Sequence, residues 1–288
     1  MRPPTPALIR VEQLSHVYLR GTPLEVPSLH DVNLVVRASE VVGVAGPTGS
    51  GKSTLLQHLN GLFRPQQGEV YVNDLPLSSS ETDIRHVRQK VGLLFQNPED
   101  QLFERYAGDD VAFAPRSQGL PPQMVRERVR TAMEEVGLSF AFKDRLTAEL
   151  SQGQRRRLAL AGVLAMDPQV LVLDEPTAGL DPQGRRDLLT TLQSWARGQD
   201  RALVLATHNM EDIATLCSNM VVLVDGRVIM QGSPRTVFAT SGGLRQYSLS
   251  VPVAVQVMAL LRERGHDVPT DVLTLDEAAS AIVRRIHA

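Results

Sequence analysis

A nine-residue segment of this sequence carries the residue types that bind a phosphate chain. It reads Gly-Pro-Thr-Gly-Ser-Gly-Lys-Ser-Thr. The glycines let successive backbone N–H groups face phosphate oxygens, Lys52 adds a positive charge, and the Ser53 hydroxyl is placed to bind Mg²⁺. The alternative is a glycine-rich turn with a solvated lysine. We assign the whole loop to nucleotide binding: Gly46, Pro47, Thr48, Gly49, Ser50, Gly51, Lys52, Ser53 and Thr54.

Two adjacent carboxylates form a second candidate for chemistry. Asp174 and Glu175 follow the apolar run from Val170 to Leu173. Such a run is typical of a buried parallel strand, and open α/β sheets bind ligands beyond the carboxyl ends of their strands. Two acids at a strand end are often only structural. Together with Lys52, however, they predict Asp174 as a Mg²⁺ ligand and Glu175 as the general base for an attacking water.

The elements around these residues predict an α/β fold. Val41 to Ala45 is an apolar strand before the loop, and Leu55 to Leu62 is compatible with a helix after it, which is the context of a phosphate-binding loop. The helix predicted from Gln183 to Trp195 separates two core-type strands, so this half of the chain alternates strand and helix and implies a parallel sheet. Further strands are predicted over Leu8–Leu14, Leu29–Val36, Glu69–Val72, Val91–Phe95, Ala202–Ala206 and Val221–Val224.

Two other regions differ in character from this pattern. From residue 97 to about residue 167 loops and helices replace the strands, and Pro121-Pro122 opens a helix, which predicts a helical subdomain. A boundary near Gly232 to Gly243 separates a nucleotide-binding domain over 1–235 from a helical extension over 236–288. We expect this extension to add dimer contacts, with packing against its own chain as the alternative.

Composition excludes several classes of function. The chain has 288 residues, of which 42% are hydrophobic and 22% charged, and its formal net charge is −2. This charge argues against nucleic acid as a partner. The single cysteine, Cys217, excludes an intrachain disulfide framework. No apolar run approaches the length of a membrane helix, so we expect any membrane role to come through partners.

Two further segments, together with the two acids, identify the family that the sequence resembles. Leu150-Ser151-Gln152-Gly153-Gln154, the two acids, and Ala178-Gly179-Leu180-Asp181 are similar to the signature, Walker B and D-loop of ATP-binding cassette (ABC) ATPases. Ser151 and Gln154 also have the form of a helix capping box. The resemblance implies a P-loop ABC nucleotide-binding domain, in which a RecA-like core carries an antiparallel β subdomain and an α-helical subdomain.

In this family two cassettes pair head to tail around two ATP molecules, and the signature and D-loop of one chain face the nucleotide of the other. The resemblance therefore assigns a trans-acting role to a set of residues in this chain. Gln152 stands where glycine is common, which puts close approach of its backbone to phosphate in doubt. The set consists of Ser151, Gln152, Gly153, Gln154 and Asp181.

The resemblance implies three further roles near the nucleotide. His208, which follows a predicted strand, matches the switch histidine that contacts the γ-phosphate and helps to orient water. Gln96 matches the Q-loop glutamine, which senses Mg²⁺ and water, so the implied metal ligands are Ser53, Gln96 and Asp174. Tyr18 matches the aromatic residue that stacks on adenine, although a tyrosine near a strand end is commonly part of the core.

Several longer segments are similar to a narrower group, the ATPases of energy-coupling factor (ECF) transporters. They are residues 57–62, 96–103, 155–166 and 180–185. The resemblance implies ATP hydrolysis at the cytoplasmic face of the membrane, as a peripheral subunit. Its implied partners are a second ABC ATPase, identical or related, a membrane T component and an S component that captures a vitamin or a transition-metal ion.

Three alternatives remain at this stage. The chain could serve a conventional importer that is fed by a binding protein, or it could be an ABC ATPase that acts outside transport. The interval between Lys52 and Asp174 leaves no room for the long coiled coil that many of the latter contain. A nucleotide-sensing subunit with a degenerate signature is the third, and the presence of Lys52, Asp174, Glu175 and His208 argues against it.

Overall fold

A computed structural model describes residues 6–198, 200–239, 244, 246–247 and 249–286. Its centre is a six-stranded sheet in the order β10-β9-β3-β8-β7-β6, in which all neighbours are parallel except β9 and β10. The five parallel strands are almost completely buried, as expected for a parallel sheet that is covered on both faces, whereas the edge strand β10 is partly exposed. The strands are β3 (Val41–Ala45), β6 (Val91–Leu94), β7 (Val170–Asp174), β8 (Ala202–Thr207), β9 (Asn219–Val224) and β10 (Arg227–Gly232).

The last two strands form a tight hairpin. Asp225 and Gly226 both have positive φ angles, 45° and 73°, which is the backbone of the turn that two-residue hairpins favour. The Gly226 N–H donates to the carbonyl of Ser50, at 3.1 Å, so the hairpin turn braces the phosphate loop. The Asp-Gly turn therefore reverses the chain and also supports the phosphate loop.

A second, antiparallel sheet has the order β2-β1-β4-β5. It is the antiparallel β subdomain that the resemblance implied, and its first two strands are longer than predicted. Helix α1 (Lys52–Leu59) buries Leu55, Leu56 and Leu59 in a cluster that includes residues of both sheets. The strands are β1 (Ala7–Tyr18), β2 (Val26–Arg37), β4 (Gln67–Val72) and β5 (Leu75–Pro76). Helix α2 (Ile84–Lys90) begins after Asp83, whose side chain accepts from the Arg85 N–H.

A helical block lies between β6 and β7 and packs on one face of the central sheet. Its apolar residues share a cluster with Leu94, Leu171 and Leu205 of the strands. Helix α4 begins at a proline, which needs no hydrogen bond for its nitrogen at the first helical position. The block contains α3 (Ala107–Ser117), α4 (Pro122–Glu135), α5 (Gln152–Leu164) and the short 3₁₀ helices Pro98–Gln101, Phe140–Asp144 and Thr147–Glu149.

The remaining helices complete the core and form the C-terminal part. They are α6 (Pro182–Ala196), α7 (Met210–Leu216), α8 (Pro234–Ala239), α9 (Val253–Glu263) and α10 (Leu275–Ile286). Residue 235 lies inside α8, and part of the predicted boundary, 240–243, lies outside the described residues. Arg235 donates to both carboxylate oxygens of Glu277, at 2.6 and 3.2 Å, and so ties α8 to α10. Among the described helices, none has the length and hydropathy that a membrane span requires.

Two histidines are buried beneath the phosphate loop. His16 of β1 and His58 of α1 lie 3.1 Å apart, from Nδ1 to Nε2, against the ring of Phe63. Burial, together with the neighbouring His16, lowers the pKa of His58 to about 4, and burial also lowers the pKa of His16. Both rings are therefore neutral in the folded protein at neutral pH.

This pair predicts a loss of stability in mild acid. The unfolded chain binds a proton at each histidine near pH 6.5, whereas the folded chain does so only at lower pH, so stability falls as pH decreases from about 6.5 towards 4. We expect His58 alone to contribute a loss of about 2 kcal/mol between pH 7 and pH 5. Urea unfolding of the protein and of His58→Gln at both pH values measures this. An equal loss in the variant would contradict the prediction.

Candidate functional site

The central sheet brings the predicted residues together at one edge. The register pairs Ala45 with Thr207 and Asp174 with Ala206, so β3, β7 and β8 end at the same level. Beyond these ends lies a cavity of about 250 Å³. It is lined by Ser28, Thr48, Gly49, Gly51, Lys52, Ser53, Thr54, Gln96, Asp174 and Glu175. Residues that are far apart in sequence therefore surround one space.

The phosphate loop is held by close backbone contacts. Gly51 has φ of 99°, and a Cβ atom there would lie 2.6 Å from the Ser28 carbonyl oxygen, so only glycine fits. The Lys52 ammonium donates to the carbonyls of Gly46 and Pro47, at 2.8 and 3.0 Å. Helix α1 begins without a side-chain cap and has no acidic residue in its first turn. Its N-terminus is thus free to bind an anion.

Lys52 is the positive charge of the cavity. It is 8% exposed, and its Nζ lies 4.0 Å from Oε1 of Glu175. Burial lowers the pKa of Lys52, while the charges of Glu175 and Asp174 oppose this shift. The two carboxylates hold the ammonium in place before any phosphate arrives.

Asp174 and Ser53 provide the oxygen atoms that a magnesium ion prefers. The Ser53 hydroxyl bonds to the Asp174 carboxylate, and burial raises the pKa of Asp174 against the effect of that bond. Gln96 lines the same cavity. Within the described residues no group of three or more His, Cys, Asp or Glu could hold a metal. Proteins usually bind Mg²⁺ through only one or two carboxylates, and phosphate oxygens of the substrate supply further ligands. A site with one carboxylate and one hydroxyl therefore fits this ion.

Glu175 is fixed by several contacts at the end of β7. Its Oε1 accepts from the backbone N–H of His208, at 3.0 Å, and lies 2.8 Å from Nδ1 of the same ring. Its Oε2 accepts from the Thr207 hydroxyl at 3.1 Å. Glu175 has a φ of 47°, in the left-handed region where residues other than glycine are rare and concentrate at functional sites. The side chain of His208 itself is 65% exposed and faces the solvent.

A buried network links the D-loop segment to the segment that carries His208. Asp212 of α7 is completely buried and accepts from the Thr177 hydroxyl, at 2.5 Å, and from Nε of Arg185, at 2.7 Å. Arg185 also donates to Asn209, the residue after His208, at 3.2 Å. This network was not predicted from the sequence. Its one local signal is an acid four residues after His208, and nothing in the sequence pairs that acid with Arg185.

Tyr18 lies beside the phosphate loop. Its hydroxyl is 2.9 Å from the hydroxyl of Thr54 on α1, and its ring packs edge-on against His16. The residue is 36% exposed. An aromatic face at this place can support a stacked base without reading its identity.

Loss of the Tyr18 ring is expected to weaken ATP binding. Stacking on an aromatic residue contributes about 1–3 kcal/mol per base, so Tyr18→Ala should raise the Kd for ATP about tenfold. Tyr18→Phe keeps the ring and loses only the bond to Thr54, and we expect it to stay within about threefold of the wild type. Titration with a fluorescent ATP analogue measures both values. Equal affinity of the alanine variant would remove Tyr18 from the site.

The signature and D-loop line a different cavity from the phosphate loop. The capping box is confirmed, because the Ser151 hydroxyl accepts from the Gln154 N–H and the Gln154 side chain accepts from the Ser151 N–H. Asp181 caps α6 through a bond from the Gly184 N–H, at 2.8 Å. This second cavity of about 450 Å³ shares only Gln96 with the first. It is lined by Gln96, Asn97, Glu99, Gln152, Gly153, Arg156, Ala178, Gly179, Leu180 and Asp181.

Comparison with known proteins agrees with this arrangement. The family model described as ABC transporter matches residues 29–178. A relative in Symbiobacterium thermophilum, the energy-coupling factor transporter ATP-binding protein EcfA2, is 52% identical over 271 residues, which are 94% of each chain. The protein of the same name in Caldanaerobacter subterraneus subsp. tengcongensis is 44% identical and covers 97% of this chain and 98% of its own.

Solved structures have the same fold. CbiO1 of Clostridium perfringens, part of the ABC transporter complex CbiONQ, has a TM-score of 0.73 and 37% identity, over 83% of this chain and 94% of its own. The ATP-binding cassette MJ0796, solved as a dimer in a post-hydrolysis state with ADP and Pi, has a TM-score of 0.71 and 25% identity. That match covers 78% of this chain and 98% of the cassette.

Proposed function

This chain belongs to the energy-coupling factor transporter ATP-binding proteins of the ABC transporter family, and we propose that it powers an importer by hydrolysing ATP in a head-to-tail ATPase dimer. The observation that carries this proposal is the cavity at the sheet edge, where Lys52, Asp174 and Glu175 meet. The transported solute is a vitamin or a transition-metal ion, captured by an S component. Each protomer works at the cytoplasmic face of the membrane as a peripheral subunit.

The hydrolytic step follows from the geometry of the cavity. Backbone N–H groups of the loop and of the start of α1 bind the phosphates, and Lys52 exchanges its two carbonyl partners for phosphate oxygens. Ser53, Asp174 and Gln96 would hold Mg²⁺, which when bound neutralises charge on the β- and γ-phosphates. Glu175 accepts a proton from the attacking water, and His208, whose Nδ1 lies 2.8 Å from Oε1 of Glu175, helps to orient that water.

The two separate cavities support a dimer with shared sites. In one chain Gln152 and Gly153 line a cavity distinct from that of the phosphate loop, and Ser151 beside them is exposed. In our proposal all three therefore act on the partner's nucleotide and not on their own. A second cassette, placed head to tail, brings its phosphate loop to the exposed start of α5, where the N–H groups of a helix N-terminus favour an anion. Binding of ATP closes the pair, and hydrolysis with release of phosphate reopens it.

The docking surface for the membrane T component is the segment after Gln96. Phe103 is 62% exposed and Phe113 of α3 is 51% exposed, and the two rings meet edge to face with centroids 4.8 Å apart. Two large aromatic side chains that pack against each other on the surface are suited to bind a helix of a partner. The exposure of Phe103 favours docking over a role in the core.

The C-terminal helices offer a second contact surface. Val253, Val257 and Leu260 are exposed along one side of α9, at the spacing of a helical stripe. The other side of α9 packs on the rest of the chain through Ala254, Val255 and Met258. The described part of the extension thus packs on its own cassette, through Val255, and still presents an apolar face, which in our proposal meets the second ATPase.

Affinity purification of the tagged protein from detergent-solubilised membranes tests this function. We expect a second, related ATPase and a small multispanning membrane protein to co-purify. A matched variant, Phe103→Asp, should keep the second ATPase and lose the membrane protein. A solute-binding protein with two conventional permeases would instead indicate a conventional importer. Ribosomal or DNA-repair proteins alone would refute a role in transport.

A further inference from the structure

Gln152, the glutamine of the signature, is hydrogen-bonded to a residue of the segment between Gln96 and Phe103, which is the proposed docking segment. Gln152, the first residue of α5, donates from Nε2 to Oε1 of Glu99, at 3.0 Å. Glu99 belongs to the 3₁₀ helix Pro98–Gln101, which leads directly to Phe103. The pKa of Glu99 is lowered, first by the bond from Gln152 and further by the charges of Arg156 and Arg155, so the carboxylate stays ionised. Gln152 therefore faces a permanent acceptor on its own chain.

The same 3₁₀ helix is firmly attached to the central sheet. The Gln101 side chain accepts from the Phe95 N–H, at 3.0 Å, and donates to the Leu93 carbonyl, at 3.3 Å. On the docking side, the N–H groups of Phe103 and Glu104 both donate to Asp110 of α3, at 2.9 Å. Glu99 and Phe103 thus lie in one short segment, which is attached to the central sheet at Gln101 and to α3 at Phe103.

Arg156, one turn further along α5, joins the same segments. Its guanidinium donates to the carbonyl of Gln96, at 3.2 Å, and to the carbonyl of Ala178, just before the D-loop aspartate. The start of α5, the Q-loop and the D-loop segment are therefore connected by two side chains, Gln152 and Arg156. The bonds of Arg156 and the bond between Gln152 and Glu99 together fix the position of the Gln152 side chain.

A free glutamine side chain at this position would compete with phosphate. At the first position of a helix, its amide oxygen can reach the unpaired N–H groups of the first turn, as side chains at helix starts commonly do. The Gln154 N–H is already paired with the Ser151 hydroxyl, which leaves the N–H groups of Gln152 and Gly153, and the Cβ position of Gly153 has open space around it. A side chain bonded to Glu99 cannot fold over them.

We propose that Glu99 is a positioning residue for the partner's ATP: it holds the side chain of Gln152 away from the phosphate-facing start of α5. This inference rests on the proposed head-to-tail dimer. It explains how a glutamine is compatible with a working signature, and it makes access to that signature depend on the segment that a membrane partner contacts.

The test is a cycle of variants in the purified ATPase pair. Glu99→Ala removes the acceptor, and Glu99→Gln keeps an acceptor oxygen at the same place. Each is made with Gln152 present and again combined with Gln152→Gly, which removes the side chain that has to be held. For every variant kcat and KM for ATP are measured, along with the thermal unfolding midpoint.

We expect Glu99→Ala to lower kcat/KM about fivefold or more when Gln152 is present and less than about twofold in the Gln152→Gly background. Glu99→Gln should stay within about twofold of the wild type. An equal loss in both backgrounds would overturn the proposal, because Glu99 would then serve only to fold the segment. Absence of hydrolysis in the wild type, at the level of Glu175→Gln, would instead refute the proposed function.

Discussion

Replacement of Glu175 by glutamine is expected to lower the rate of ATP hydrolysis about 10³-fold, within the range that general bases contribute. The variant keeps the shape of the side chain. Its amide oxygen can still accept from the His208 N–H, while its NH₂ group replaces the oxygen that accepts from Thr207. It cannot take a proton from water. Because a negative charge is removed beside the phosphates, ATP binding should be unchanged or tighter, and the pair should accumulate in the ATP-bound closed state.

Single-turnover hydrolysis and size-exclusion chromatography with and without ATP measure the two effects. A suitable control is Glu149→Gln, which changes an exposed carboxylate near the signature and should leave the rate within about twofold. Turnover at the wild-type rate in Glu175→Gln would remove Glu175 from the role of general base. A slow variant that does not form ATP-bound dimers would show that its role is in assembly.

Replacement of Lys52 by alanine is expected to raise the Kd for ATP at least about 100-fold, because several hydrogen bonds from one charged group to phosphate are lost together. The change also leaves Glu175 and Asp174 without their cation in a largely buried cavity. Two uncompensated carboxylates then repel the incoming phosphates. The loss should appear in binding itself and not only in the rate of hydrolysis.

Equilibrium binding of a non-hydrolysable ATP analogue measures this loss. Lys143→Ala, which removes one of the three lysines of the chain from a surface pair with Asp144, should bind like the wild type. Lys52→Arg retains the charge, but its broader, planar head does not fit between the carbonyls of Gly46 and Pro47, so we expect it to bind weakly as well. Normal affinity of Lys52→Ala would contradict the assignment of the loop.

Much of the fold and the main cavity follows from local sequence patterns. Apolar runs such as Val170–Leu173 predict buried parallel strands, and parallel strands present their carboxyl ends at one edge. The meeting of Glu175 with His208 is therefore a geometric consequence of where each follows its strand. A glycine-rich loop between a strand and a helix is similarly informative, because few backbones satisfy its steric requirements.

Contacts between side chains of distant segments could not be predicted in this way. Asp212 meets Arg185 and Gln152 meets Glu99 only because helices from different parts of the chain pack together. In the sequence each is an ordinary polar residue. His16 and His58 are a further case, since a buried pair of neutral histidines has the same local pattern as two exposed ones.

The strand order of the central sheet has a consequence for synthesis on the ribosome. Strand β3, which carries the phosphate loop, pairs only with β8 and β9 within the sheet, and both are made much later. At usual translation rates of about 5–20 residues per second, β3 waits on the order of ten seconds for its first partner. The N-terminal sheet can form meanwhile, since β1, β2 and β4 pair with one another and all precede residue 73. Nucleotide therefore has no site to bind on a nascent chain until β8 has emerged, and it stabilises only nearly finished molecules.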